Sequence, residues 1–184
     1  MAHKEQVEFC EAVKRKFPEY FKNKSVLDIG SLDINGSNKN FFSDCEYVGL
    51  DLAEGKNVDV VSFAHEYQSD SQFDVIISTE AFEHDYYFEQ TLPHCVEMTK
   101  PGGLFFFSAA GPKRAEHGTK RTTPKDSPFT SFIEGQENYY RNVTIEWVNE
   151  LLDLNNIFSE WDMAYGRKGH DIYFWGIKKE LDNA

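Results

Sequence analysis

The chain has 184 residues, 40% of them hydrophobic, and carries 31 Asp and Glu against 19 Lys and Arg, a formal charge of −12. That length suits one domain with a sizeable core. An acidic chain disfavours tight binding to phosphate backbones or anionic lipid, which need clustered cations, so nucleic acid is not an expected partner. Cys10, Cys45 and Cys95 are odd in number and far apart without metal-ligand spacing; no disulfide framework or metal site is read from them, and a reducing compartment is expected.

In chain order, residues 4 to 17 place Val7, Cys10, Val13 and Phe17 on one face among Lys and Glu, which predicts an amphipathic helix stopped by Pro18 and used as core cover. No stretch approaches the roughly 20 apolar residues that span a bilayer, and charge interrupts residues 1 to 20, so neither membrane span nor signal peptide is read and a cytoplasmic location is expected. Nothing in the sequence sets an oligomeric state.

From Val26 to Asp51 the chain reads as a buried strand, a turn holding Asp28, Gly30, Asn35 and Gly36, a short helical piece, and a second strand ending in an acid. Such a unit makes a nucleotide-like pocket: glycines let backbone approach a ligand, and a carboxylate at the next strand's end accepts ribose hydroxyls. The Gly30 to Asp51 spacing fits the roughly 20 residues expected between glycine turn and ribose acid. The dinucleotide pattern GxGxxG is absent.

Val58 to Val61 and Phe73 to Ser78 are apolar runs suited to strands buried on two faces, with weak helical character between them. Phe88, Leu92, Cys95 and Thr99 predict a helix in which Pro93 is tolerable only in the first turn or as a kink. A turn at Lys100-Pro101-Gly102-Gly103 and a strand at Leu104 to Ala110 follow. Residues 111 to 143 show no sustained period; an irregular insertion of that length is more often a binding loop or lid than filler. Thr144 caps a helix with Ile145, Val148, Leu151 and Leu152 on its face, and residues 157 to 164 and 171 to 178 close the chain as strands.

Four blocks now stand in order: D28-x-G30-S31-x-D33-x-N35-G36-S37; Tyr47 to Val61 (YVGLDLAEGKNVDVV); Phe73 to His84 (FDVIISTEAFEH); and Lys100 to Gly111 (KPGGLFFFSAAG). Together they resemble the class I S-adenosylmethionine-dependent methyltransferases, in the subgroup whose first loop runs DxGSxDxNGS. The resemblance implies an α/β, doubly wound, Rossmann-like fold: a seven-stranded, mostly parallel sheet in order 3-2-1-4-5-7-6, last strand antiparallel, with helices on both faces. It implies one domain over residues 1–184 with a lid-like insertion at about 111–143, and S-adenosylmethionine as cofactor.

Carried over residue by residue, the resemblance places Asp28 and Gly30 at the methionine part of the cofactor and makes Ser31, Asn35 and Gly36 of the same loop cofactor-binding. Asp51 falls at the ribose, Leu52 against the adenine, Phe63 and Ala64 on the pocket wall, and Thr79 and Glu80 along the cofactor. Asp28 either reaches the ammonium group or merely ties the loop by accepting N–H groups. Phe63 stands where relatives carry an acid near the adenine amine, so either a backbone carbonyl replaces that bond or the ring stacks. Glu83 and His84 fall where acceptors approach in similar enzymes. His84 is read as a general base or as a helix-start residue bonded to backbone. The corresponding loop suggests His117, Tyr139, Tyr140 and Arg141 on the acceptor side. Lys113, Arg114, Lys120, Arg121 and Lys125 are either solvated loop charge or a lid selecting an anionic acceptor. The leading reading is a methyltransferase for a small-molecule acceptor; a non-catalytic cofactor-binding regulatory or scaffold subunit is the alternative.

Overall fold

The computed structural model describes residues 4–180. Seven strands form one sheet: β1 (Ser25–Ile29), β2 (Glu46–Asp51), β3 (Val60–Val61), β4 (Phe73–Thr79), β5 (Thr99–Ala110), β6 (Phe158–Gly166) and β7 (Asp171–Lys178). Their order is β3-β2-β1-β4-β5-β7-β6. β1 to β5 pair in parallel, while β7 runs antiparallel to both β5 and β6, leaving β6 at one edge and β3 at the other. The predicted topology is the observed one.

Strand side chains alternate between faces, and both faces are covered, so the central strands read as continuous apolar runs. Val26, Val75, Ile77, Leu104 and Phe106 pack with Cys10, Val13 and Phe17 of the α1 segment, the helix itself spanning Lys4–Lys16. On the other face Leu27, Ile76, Phe105 and Phe107 meet Phe88, Leu92 and Cys95 of α2 (Phe88–Met98) and Trp147 and Val148 of α3 (Ile145–Leu151). The inward face of α1 is rotated from the predicted one: Gln6 is buried in place of Val7. No helix among the described residues is long and apolar enough to cross a membrane.

Several local expectations are revised. Only Val60–Val61 of the third run is strand, because Asp59 turns its carboxylate onto the Gly49 N–H at 2.8 Å, where a ladder partner would sit. Pro93 lies in the second turn of α2, where its ring removes the N–H due to the Glu89 carbonyl. Thr99 leaves the helix; its hydroxyl donates to the Cys95 carbonyl at 2.8 Å as β5 begins. The predicted turn at residues 100 to 103 is absorbed into β5 as a bulge, since the register jumps from Phe73 opposite Thr99 to Val75 opposite Leu104. Thr144 caps α3 as predicted, accepting from the Trp147 N–H at 3.1 Å. One further short helix, α4 (Leu154–Ile157), capped by Asp153, was not legible from so few residues.

Candidate active site

A cleft of about 350 Å³ opens at the carboxyl ends of β1, β2 and β4. Strand order reverses between β1 and β4, and such a switch point is where open parallel sheets hold their ligands. The loop after β1 is held to β2 by the Gly30 and Ser31 N–H groups, which donate to the Leu50 carbonyl at 2.9 and 3.2 Å. Gly30 has φ +78°, and a Cβ there would stand 2.5 Å from the Ala81 Cβ, so only glycine lets this loop pass the end of β4.

Asp28 is 1% exposed. Tyr47 donates its hydroxyl to one carboxylate oxygen at 2.6 Å and Asn38 its amide to the other at 2.9 Å. Asn38 also exchanges hydrogen bonds with the Thr79 hydroxyl at 3.0 and 3.2 Å, so the first loop and the end of β4 are one network. Asp51 accepts the Leu32 and Leu52 N–H groups at 2.9 and 2.8 Å, one on each oxygen. That leaves each oxygen one further lone pair. Burial raises the Asp51 pKa against the pull of those two amides. Phe63 packs edge-on to Tyr87 with centroids 5.5 Å apart, and Phe63 and Ala64 both line the cleft.

Burial lifts Asp28 from 3.8 to about 6, despite the stabilising hydroxyl of Tyr47 and amide of Asn38. Between those pH values the folded protein holds a proton that the unfolded chain has released, so stability falls as pH rises through the window and is greatest at its acid end. The difference is on the order of 3 kcal/mol. Urea unfolding of the ligand-free protein at pH 4.5 and 6.5 checks it: this part of the slope is expected to vanish in Asp28→Asn, and an identical pH dependence in that variant would refute the assignment.

The far wall of the cleft is made by the turn after β4. Glu80 adopts φ +54°, unusual for a residue with a side chain, and its N–H donates to the Ser108 carbonyl at 2.8 Å. Its carboxylate accepts the Ser108 hydroxyl at 3.0 Å and Arg114 at 3.2 Å, and Arg114 also pairs with Asp171. Glu83 and His84 lie on the following 3-10 turn, Phe82–His84. Glu83 is 0% exposed. Burial, then the neighbouring Glu80, push its carboxyl pKa upward. His84, 5% exposed, lines the cleft, and burial together with the adjacent His117 lowers its imidazole to about 3. A neutral imidazole so hard to protonate is a weak base. The rings of His84, His117 and Tyr140 meet with centroids 5.1 to 5.5 Å apart.

The insertion closes over the cleft through Ser127, Pro128, Phe129, Thr130 and Gln136. Its only regular pieces are the 3-10 turns Pro124–Asp126 and Thr130–Phe132. None of its basic side chains lines the cleft. Arg114 is committed to Glu80 and Asp171, and Arg121 pairs with Glu116 at 2.5 Å.

The sequence profile of a methyltransferase domain matches residues 1–158. The chain belongs to the methyltransferase-domain family. Among solved structures, a 1,6-didemethyltoxoflavin-N1-methyltransferase of Burkholderia thailandensis, with 1,6-didemethyltoxoflavin and S-adenosylhomocysteine bound, superposes with a TM-score of 0.64 at 14% identity, covering 96% of this chain and 79% of that one. The N-methyltransferase NodS of Bradyrhizobium japonicum, in complex with S-adenosylhomocysteine, gives 0.59 at 13% identity over 96% and 88% of the two chains. A phosphoethanolamine N-methyltransferase of Haemonchus contortus, with phosphomonomethylethanolamine and S-adenosylhomocysteine, gives 0.60 at 14% over 93% of this chain and 52% of that one. No curated protein matches the sequence significantly.

In this methyltransferase domain Asp28, Gly30, Ser31, Asn35, Gly36, Asp51, Leu52, Phe63, Ala64, Thr79 and Glu80 all line the cleft. Of the acceptor-side candidates, only His84 does. Glu83, His117 and Tyr140 stand behind it, because the 3-10 turn directs Glu83 inward and Tyr140 donates its hydroxyl back to the Ala115 carbonyl at 3.2 Å. Arg141 is turned away altogether, its guanidinium 3.6 Å from the Trp147 ring centroid. Asn38 and Tyr47 were missed. Their polar atoms serve Asp28 across the first loop and from the adjacent strand, a partnership that linear spacing does not reveal.

Proposed function

We propose that the protein is an S-adenosylmethionine-dependent methyltransferase acting on a small molecule. The observation that carries the reading is the Asp51 carboxylate, which ends β2 at the switch point with one accepting position left on each oxygen, as two ribose hydroxyls require. When bound, the cofactor supplies a methyl group already activated on a sulfonium, so alignment is the main task left to the protein. Asp28, Asn38 and Thr79 form the rigid floor for the methionine part, and Gly30 lets it approach the backbone. Leu52, Phe63 and Ala64 offer an apolar wall to the adenine.

Charge narrows the acceptor. The cleft is lined by Asp28, Asp51, Glu80, Asp85 and Asp126 and, among the described residues, by no Lys or Arg. Such a cleft attracts a sulfonium and repels anions. A neutral or cationic acceptor therefore fits better than the anionic one suggested by the basic run, whose side chains face elsewhere.

Calorimetric titration tests the proposal: S-adenosylmethionine and S-adenosylhomocysteine are expected to bind with one-to-one stoichiometry, and NAD much more weakly. Absence of heat with both sulfur compounds at millimolar concentration would defeat it. Binding without methyl transfer to any amine, hydroxyl or carbon acceptor in a broad panel would favour the non-catalytic subunit instead.

A further inference from the structure

Behind the cleft wall Glu83, His84 and His117 bring one ligating atom each to within 4.8 Å of one another. The Glu83 carboxylate is 0% exposed, and neither oxygen has a hydrogen-bond partner among the described residues; His84 Nδ1 is likewise buried and unpartnered. The Glu83 and Ala110 amides lie near enough to favour the charged form of this carboxylate but make no hydrogen bond to it, and native structures seldom leave a buried carboxylate so.

The tautomer of His117 sharpens the point. Its Nδ1 lies 3.2 Å from the Ala115 carbonyl, which only accepts, so Nδ1 carries the proton and Nε2 of the neutral ring presents a lone pair. That Nε2 stands 3.8 Å from Glu83 Oε1. A buried carboxyl facing this lone pair at 3.8 Å, too far for a hydrogen bond between them, leaves a place for a cation that both can ligate. The backbone bond at Nδ1 is also the outer-shell contact that fixes metal-ligating histidines. Gly118, at φ +68°, admits His84 to the cluster, since a Cβ there would stand 2.5 Å from His84 Cε1.

We propose that Glu83, His84 and His117 bind a divalent transition-metal ion. Two imidazoles with one carboxylate suit zinc, iron or cobalt, whereas magnesium and calcium favour oxygen ligands. Ligands on one such ion stand about 3 to 4 Å apart for bonds of about 2.1 Å, so the shell closes with side-chain shifts of about 1 Å. Three protein ligands leave coordination positions for another group, and His84 belongs to the cleft wall. If the methyltransferase reading holds, an ion there takes an acceptor oxygen or nitrogen and lowers its pKa, a task for which no strong base lines the site.

The test uses the full chain without a histidine tag, stripped with chelator. Titration with Co2+ is expected to give a visible ligand-field spectrum saturating at one equivalent, with the ion displaced by Zn2+ and not by millimolar Mg2+. Glu83→Gln and His117→Ala should each weaken Co2+ binding by about 100-fold or more, while His94→Ala, far from the cluster, leaves it unchanged. S-adenosylhomocysteine affinity is measured on the same samples, so the cofactor reading and the metal reading succeed or fail separately. No stoichiometric Co2+ or Zn2+ binding by the folded parent protein, Mg2+ displacing Co2+, or full affinity in folded Glu83→Gln and His117→Ala would overturn the proposal.

Discussion

Arg114→Ala is expected to destabilise the protein by about 3 to 5 kcal/mol, the usual cost of removing one member of a buried ion cluster. Arg114 is itself largely buried and is the cation shared by Glu80 and Asp171, whose side chains are 2% and 0% exposed. Its removal leaves both charges in a low-dielectric interior. The same residue pins the start of the insertion to the turn after β4 and to the first residue of β7, with Asn142 donating to its carbonyl at 2.9 Å. Arg114→Lys keeps the charge and loses the fork, and should recover only part of the stability. Urea denaturation measures both, and a change below about 1 kcal/mol in the alanine variant would mean that the cluster behaves like a surface pair.

Asp51→Ala should weaken S-adenosylhomocysteine binding by one to two powers of ten, since a hydrogen bond to a charged group contributes roughly 1.5 to 3 kcal/mol. Two effects act together: the ribose acceptor is lost, and the Leu32 and Leu52 N–H groups lose the oxygens that hold the loop in place. Asp51→Asn keeps one accepting oxygen and is expected to fall between the parent and the alanine variant. Calorimetry on folded variants is the measurement; unchanged affinity in Asp51→Ala would take this carboxylate out of the cofactor site.

How much of this was legible in the sequence depends on the range of the interaction. The individual strands and the glycine turn were legible because they are encoded by neighbours: Val75, Ile76 and Ile77 each face a different side from the next, yet all are buried. The order of the strands in the sheet came from the resemblance carried by the four blocks. Asn38 escaped notice because its two partners, Asp28 and Thr79, lie 10 and 41 residues away. The approach of His117 to Glu83 has the same origin, since only the folded insertion returns His117 to the turn after β4. The fold adds partners to the basic run that composition does not show: Arg114 pairs with the buried Glu80 and Asp171, and Arg121 with Glu116 in the loop.

The ends of the sheet bear on how this protein behaves at high concentration. Any open sheet offers two rows of unsatisfied amides and carbonyls to other chains, the template for strand addition and fibril growth. Here β3 is two residues long, too short to nucleate a ladder. At the opposite end β6 carries exposed Ser159, Glu160, Asp162 and Tyr165, and a register irregularity falls between Phe158 and Glu160. A second molecule docking against β6 would bring its own Glu160 and Asp162 close to these, and like charges in a strand pair repel. The acidic surplus that set the character of the cleft thus also guards the flank most exposed to self-association.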